Sequence, residues 1–332
     1  RKNHKMEGKL MKKINSKKLL ILFLVLAMAL TTFTACGKTN SNENSKQNEE
    51  VVTEKGNEVQ YPMEVEDQFG NKVTIENEPK TIVSLAPSHT EILFSLGLGD
   101  KVVGVTEYCD YPEEAKSKEK VGGFTGVNIE RIIELNPDIV FQFGPGDEEV
   151  NAKIRDARIA LLCYEPDSID EVINLIESIG KMTNTQDEAT KVVNDMKAKR
   201  DEIVNKVKDK EKVKVFYEIW DDPLMAAGPG SFMDELITLA GGENIAGDAE
   251  GEYPQFDIEQ LIERNPDVYL GAKDSEEKTV ESIKERPGFE NINAVKNDRV
   301  YLLDPNIVSR PGPRIIDALE LVAKSIHPDV FK

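Results

Sequence analysis

Four aromatic residues, two acids and an arginine are where this chain could do chemistry. Tyr108, Phe124, Trp220 and Tyr253 are aromatic, and ring faces with a few placed polar groups are how proteins hold bulky ligands. Trp220 is the only tryptophan and precedes Asp221-Asp222-Pro223, which places it in a loop after a strand. Phe124 and Tyr253 each lie six residues ahead of a glutamate, Glu130 and Glu259, in matching sequence surroundings. Core packing is the competing reading for any one of these rings; the symmetry of Phe124 with Tyr253 favours a shared cleft. Catalysis finds no support. The three histidines are His4, His89 and His327, and His4 lies ahead of an apolar leader, so a three-histidine metal site is excluded. No Gly-x-Ser-x-Gly, phosphate-binding glycine loop or Cys-x-x-Cys occurs. Ser88, His89 and Glu91 share one helical turn and cannot form a triad; a helix cap with Glu91 reaching back to the first turn is the expected arrangement.

Glu130 and Glu259 fall in the first turn of a helix, where the dipole favours an acid. A first-turn acid also stays exposed, so the pair could meet basic residues on a partner. Arg310 and Arg314, in Ser309-Arg-Pro-Gly-Pro-Arg314, head the last helix. A cation there is disfavoured by the dipole. Arg310 is therefore expected to face anionic or carbonyl groups of a ligand, and Arg314 to form a structural ion pair.

These residues need a frame. Short β-branched runs are expected as strands at 81–85, 101–105, 138–143, 159–163, 213–219, 267–270 and 299–303. Helical patterns lie between them, so parallel βα units follow. The stretch 185–210 is charged and lacks Pro and Gly; its apolar residues, Ala189, Val192, Val193, Met196, Ile203, Val204 and Val207, keep mostly helical spacing. It reads as one long helix. On either side of it a segment repeats. Asn128-Ile-Glu-Arg-Ile-Ile-Glu-Leu-Asn-Pro-Asp138 recurs as Asp257-Ile-Glu-Gln-Leu-Ile-Glu-Arg-Asn-Pro-Asp267. Two similar α/β lobes joined by the helix are the expected architecture, with Asn128 and Asp257 as N-caps and each Pro ending its helix.

The start of the chain differs. After Met11-Lys12-Lys13 a twelve-residue apolar run, 19–30, is too short to span a membrane and reads as a secretion signal. It ends in Phe33-Thr-Ala-Cys36, a lipobox-like site, so Cys36 is the expected lipidation point. Residues 1–35 are read as a signal peptide with an upstream extension, and 36–60 as the lipidated cysteine and a polar tether. The N-terminal lobe follows at 61–184, the connecting helix at 185–211 and the C-terminal lobe at 212–332. Without residues 1–35, which hold eight basic side chains and one acid, 34 basic and 60 acidic side chains remain, a formal charge of −26. That balance argues against nucleic acid. Cys109 and Cys163 are too few for a disulfide scaffold and read as free or buried thiols.

Val83-Ser-Leu-Ala-Pro-Ser-His-Thr-Glu91, Asp110-Tyr-Pro112, the repeated Asn-Pro-Asp segments, Gly241-Gly-Glu-Asn-Ile245 and Arg310-Pro-Gly-Pro-Arg-Ile315 together are similar to the cobalamin and iron-siderophore binding proteins of ABC importers. The resemblance covers about residues 61–332, and the corrinoid-binding members are the nearer match. It implies the helical-backbone periplasmic-binding-protein fold, with only a small change in lobe angle on binding. It implies ligand contacts from Tyr108 and Arg310, which match family residues, and from Phe124 and Tyr253, which stand where the family has tryptophan. Asn306 stands where the family has an acid. Glu130 and Glu259 match a pair that docks on the permease. The ligand so implied is cobalamin or another corrinoid, with haem or a ferric siderophore as the alternative; there is no resident cofactor, structural metal or catalytic residue. The expected partners are an ABC permease and ATPase complex, reached by a monomer anchored through lipid on the extracytoplasmic face. A non-transporting sensor or adhesion lipoprotein is the reading from another class.

Overall fold

The computed structural model describes residues 59–123 and 126–331. The cysteine-bearing leader and tether, and Phe124, lie outside the described residues. The chain enters through a hairpin, β1 (Met63–Glu66) antiparallel to β2 (Lys72–Ile75). Its strands alternate half-buried and exposed residues, the signature of a sheet covered on one face. Neither strand is among those expected from the sequence.

The first lobe follows. It contains β3 (Ile82–Ser84), α1 (Pro87–Ser95), β4 (Val102–Val105), β5 (Glu119–Lys120), the short pair β6 (Gly122–Gly123) and β7 (Gly126–Val127), α2 (Ile129–Leu135), β8 (Ile139–Phe143), α3 (Glu148–Asp156), β9 (Ala160–Tyr164) and α4 (Ile169–Met182). Its main sheet has the order β5-β4-β3-β8-β9, and every pairing is parallel. Then α5 (Gln186–Val207) runs for 22 residues, roughly 33 Å at the usual rise. The second lobe contains β10 (Val213–Asp221), β11 (Leu224–Ala226), α6 (Phe232–Leu239), β12 (Gly242–Asn244), α7 (Ile258–Arg264), β13 (Val268–Ala272), α8 (Val280–Lys284), α9 (Asn293–Lys296), β14 (Val300–Leu303), α10 (Pro305–Val308) and α11 (Ile315–Ile326). Here β12 and β13 flank β10 in parallel, and β14 pairs with β13.

The sequence repeat is thus a repeat of topology. Counting β3, β4, β8 and β9 as the first to fourth strands, the first sheet runs second-first-third-fourth. Counting β10, β12, β13 and β14 likewise gives the same order. The repeated segment supplies α2 before β8 and α7 before β13. Both helices end on an asparagine in the left-handed region, Asn136 (φ 44°) and Asn265 (φ 49°), a conformation asparagine tolerates better than most side chains. The following Pro then bars continuation. Each Asp of the motif ties its strand to the sheet: Asp138 accepts from the Lys80 and Thr81 backbones at 2.7 and 2.9 Å, and the Asp267 N–H donates to the Lys214 carbonyl at 2.8 Å.

The long helix is a spine because both lobes share its core. Ala189, Val193, Met196, Ile203 and Val207 are its buried residues, and it packs on α4 and α11. One continuous apolar cluster runs from Ile82 and Phe141 through Ile176 and Val193 to Val215 and Leu319. Each fully buried side chain of this size contributes about 1.5–3 kcal/mol. At Gly180 an added Cβ would lie 2.5 Å from the Ala189 Cβ, so glycine sets the close approach of α4 to α5. Cys109 and Cys163 are buried free thiols.

Candidate ligand-binding cleft

Parallel sheets gather their strand ends at one edge, and ligands bind outside the carboxyl ends. Such a place exists here. Phe143 closes β8, while Tyr217 and Ile219 lie near the end of β10. With Phe69, Phe232 and Tyr253 they line a cavity of about 450 Å³ whose walls come from both lobes. Phe69 arrives from the β1–β2 turn. Asp67 Oδ1 accepts from the Phe69 and Asn71 N–H groups at 3.0 and 2.9 Å, and Gly70 takes φ +82°, so the turn is closed around Asp67. Asp67-x-x-Gly70 was the available signal for it.

The residues singled out above divide among three places. Tyr253 is in the cavity wall and 51% exposed. Tyr108, Asn306 and Arg310 are brought together. Arg310 Nη2 donates to Asn306 Oδ1 at 2.5 Å and to the Tyr108 carbonyl at 3.4 Å, leaving the Tyr108 ring 58% exposed. Trp220, 53% exposed, is in the strand β10 rather than in a loop. The chain turns at Asp222-Pro223 and returns as antiparallel β11, which pairs Met225 with Trp220 and lengthens the strand. Its indole N–H donates to the Asp222 carbonyl at 2.9 Å.

Between the lobes lies an ion-pair network. Glu91 is 3% exposed in α1. Its carboxylate accepts from Arg314 Nε at 2.9 Å and Nη2 at 2.6 Å, a two-pronged pair, and from Arg310 Nη1 at 3.4 Å. Arg310 Nη1 also meets Asp110 Oδ1 at 2.6 Å, and the Arg314 guanidinium lies over the Tyr111 ring at 3.9 Å. Burial alone would raise the Asp110 carboxyl, but the hydrogen bond and charge of Arg310, joined by the charge of Arg314, hold it below the usual carboxylate range. At Gly312 an added Cβ would stand 3.2 Å from the Ser88 carbonyl, so a glycine lets this loop reach α1. The expected cap on α1 is therefore corrected. Pro87 takes the first helical position, Ala86 precedes it without a side-chain bond, and Glu91 turns to arginine instead. Arg314 forms the structural ion pair expected of it.

His89 sits in the same helix with no exposure. Neither ring nitrogen has a hydrogen-bond partner among the described residues, and its ring lies 6.0 Å from that of Phe143. Burial pushes its pKa down to about 4 from 6.5. The native imidazole stays neutral while the unfolded one takes a proton, so its contribution is complete above pH 6.5 and is lost as pH falls towards 4. About 3 kcal/mol is at stake. Denaturant titrations at pH 7 and pH 4.5 should show this loss in the native sequence and a smaller one in His89→Leu; equal losses would contradict it.

Glu130 and Glu259 are exposed, in the first turns of α2 and α7. Asn128 caps α2 by accepting from the Arg131 N–H at 3.0 Å. Asp257 holds the equivalent position without a side-chain bond.

Residues 82–307 match the family model described as periplasmic binding protein. The chain belongs to this family. It is 38% identical over 320 residues to the uncharacterized ABC transporter substrate-binding lipoprotein YvrC of Bacillus subtilis, covering 94% of this chain and 98% of that one. A possible iron-binding (periplasmic solute-binding) protein of Staphylococcus epidermidis superposes with a TM-score of 0.69 at 32% identity, over 76% of this chain and all of that one. The periplasmic vitamin B12-binding protein BtuF of Vibrio cholerae does so with a TM-score of 0.65 at 30% identity, over 77% and 99% of the two chains. Two parallel-sheet lobes on a helical backbone are the fold of these neighbours, as the resemblance implied. Members of the family are solute-binding proteins of ABC transporters, not enzymes, and this chain is a substrate-binding protein of that class.

Proposed function

We propose that the protein captures a corrinoid such as cobalamin in the cleft between its lobes and delivers it to an ABC permease and its ATPase. The observation that carries the reading is the cavity itself, where aromatic rings from both lobes meet at the carboxyl ends of two parallel sheets. The likeness to vitamin B12-binding proteins supports it. In this reading Tyr108, Phe124, Trp220 and Tyr253 offer ring faces to the ligand, Asn306 offers its amide, and Arg310, whose charge is already met by Glu91 and Asp110, offers hydrogen-bonding N–H groups rather than a free cation. Glu130 and Glu259 dock on the permease, one from each lobe. Lipid on Cys36 holds the protein on the extracytoplasmic face of the membrane, an assignment favoured by the lipoprotein relative. Haem or a ferric siderophore is the second reading, favoured by the possible iron-binding neighbour. The test is substitution at the cavity wall. Tyr253→Ala should weaken cyanocobalamin binding about tenfold, the usual cost of removing an aromatic anchor. Tyr301, on the strand β14 away from the cavity lining, serves as control through Tyr301→Phe. Equal affinities for Tyr253→Ala and the native sequence would count against the corrinoid reading.

A further inference from the structure

We propose that the cleft selects chelates whose exposed edge is neutral or cationic and rejects those carrying carboxylates, because its rim is a set of unpaired acids facing each other across the lobes. This rests on the chelate-capture reading and assigns the charge class of the ligand. Among the residues lining the cavity, Glu165 and Asp167 come from the first lobe and Glu252 from the second, and none is Lys or Arg. All three acids are exposed, and none forms an ion pair with a described residue. Their proximity is registered by Tyr253. Its phenol is raised first by burial and then by the charges of Glu252, Asp167 and Glu165 together, so acids from both lobes act on one ring in the cavity wall.

Arg310, the cation expected to meet an anionic ligand, does not offset them. Its guanidinium is engaged by Asp110, Glu91, Asn306 and the Tyr108 carbonyl. The rim position is also built rather than accidental. Gln68 holds the Glu165 backbone on both sides, accepting from its N–H at 2.7 Å and donating to its carbonyl at 3.0 Å. A ligand edge of amide N–H donors or ammonium groups satisfies these carboxylates. A carboxylate edge adds like charge beside three acids at the cavity rim, a repulsion that salt screens.

The experiment holds the scaffold fixed and changes its charge. The chain from residue 37 onwards, the soluble domain, is titrated with cyanocobalamin, with the monocarboxylic acids made by hydrolysing one peripheral amide, and with the diamine amides of those acids, which end in ammonium. At least one carboxylic acid isomer should bind about tenfold or more weakly than the parent, and its ammonium counterpart at least as tightly as the parent. The gap should shrink in high salt and largely vanish in the triple variant Glu165→Gln, Asp167→Asn, Glu252→Gln. Parent-like affinity of every acid isomer, or a gap untouched in the triple variant, would overturn the charge selection while leaving corrinoid capture standing. Binding of haem with none of the corrinoids would overturn both, since haem carries two carboxylates.

Discussion

Replacing Glu91 by alanine lowers the stability of the soluble domain by about 3 kcal/mol or more, the usual cost of removing one partner of a buried ion pair. Glu91 is the single carboxylate on which Arg314 and Arg310 converge, and it lies on the opposite lobe from both. Its loss leaves the largely buried Arg314 guanidinium without a carboxylate, with only the Tyr111 ring and the Asn306 carbonyl beside it. Arg310 keeps Asp110 and Asn306 as partners, so the damage centres on Arg314. The double variant Glu91→Leu, Arg314→Met should recover most of the stability, because a buried pair exchanged for apolar groups of similar size is often neutral. Urea unfolding of the three proteins checks this. A loss below about 1 kcal/mol in Glu91→Ala would show the pair to behave as a solvent-screened surface bridge.

Changing Glu130 and Glu259 together to lysine abolishes import while leaving fold and ligand affinity intact. Both acids are exposed and neither forms an ion pair with a described residue, so the cost in stability is confined to reversing two favourable first-turn charges, about 1–2 kcal/mol in all. A charge pair desolvated at an interface is worth about 2–5 kcal/mol when one partner is removed. Two reversals, one per lobe, therefore weaken docking by well over a hundredfold, and each single reversal gives an intermediate defect. Uptake of labelled corrinoid by cells carrying each variant measures it. Undiminished uptake by the double variant would remove the docking role and favour a sensor or adhesion protein.

The frame was legible because its signals are local. The β-branched runs at 138–143 and 213–219 became β8 and β10, and the apolar stripe from Ala189 to Val207 became the spine. The repeated Asn-Pro-Asp segment marked equivalent strands of two sheets. The site was less legible, because it depends on partners far apart in sequence. Glu91 and Arg314 are 223 residues apart, and nothing local tells a capping glutamate from one reserved for a distant arginine. Asp-Asp-Pro after Trp220 points to a loop, whereas pairing with β11 extends the strand through it. Phe69 and the β1–β2 hairpin escaped because four-residue strands give too short an alternation to stand out.

Calorimetric titration of the soluble domain, from residue 37 onwards, with cyanocobalamin tests the central claim most directly. Saturable one-to-one binding at micromolar affinity or tighter is expected, with a loss of affinity in Tyr253→Ala. No heat with cyanocobalamin, together with saturable binding of haem or a ferric siderophore, would contradict corrinoid capture and leave only the substrate-binding fold.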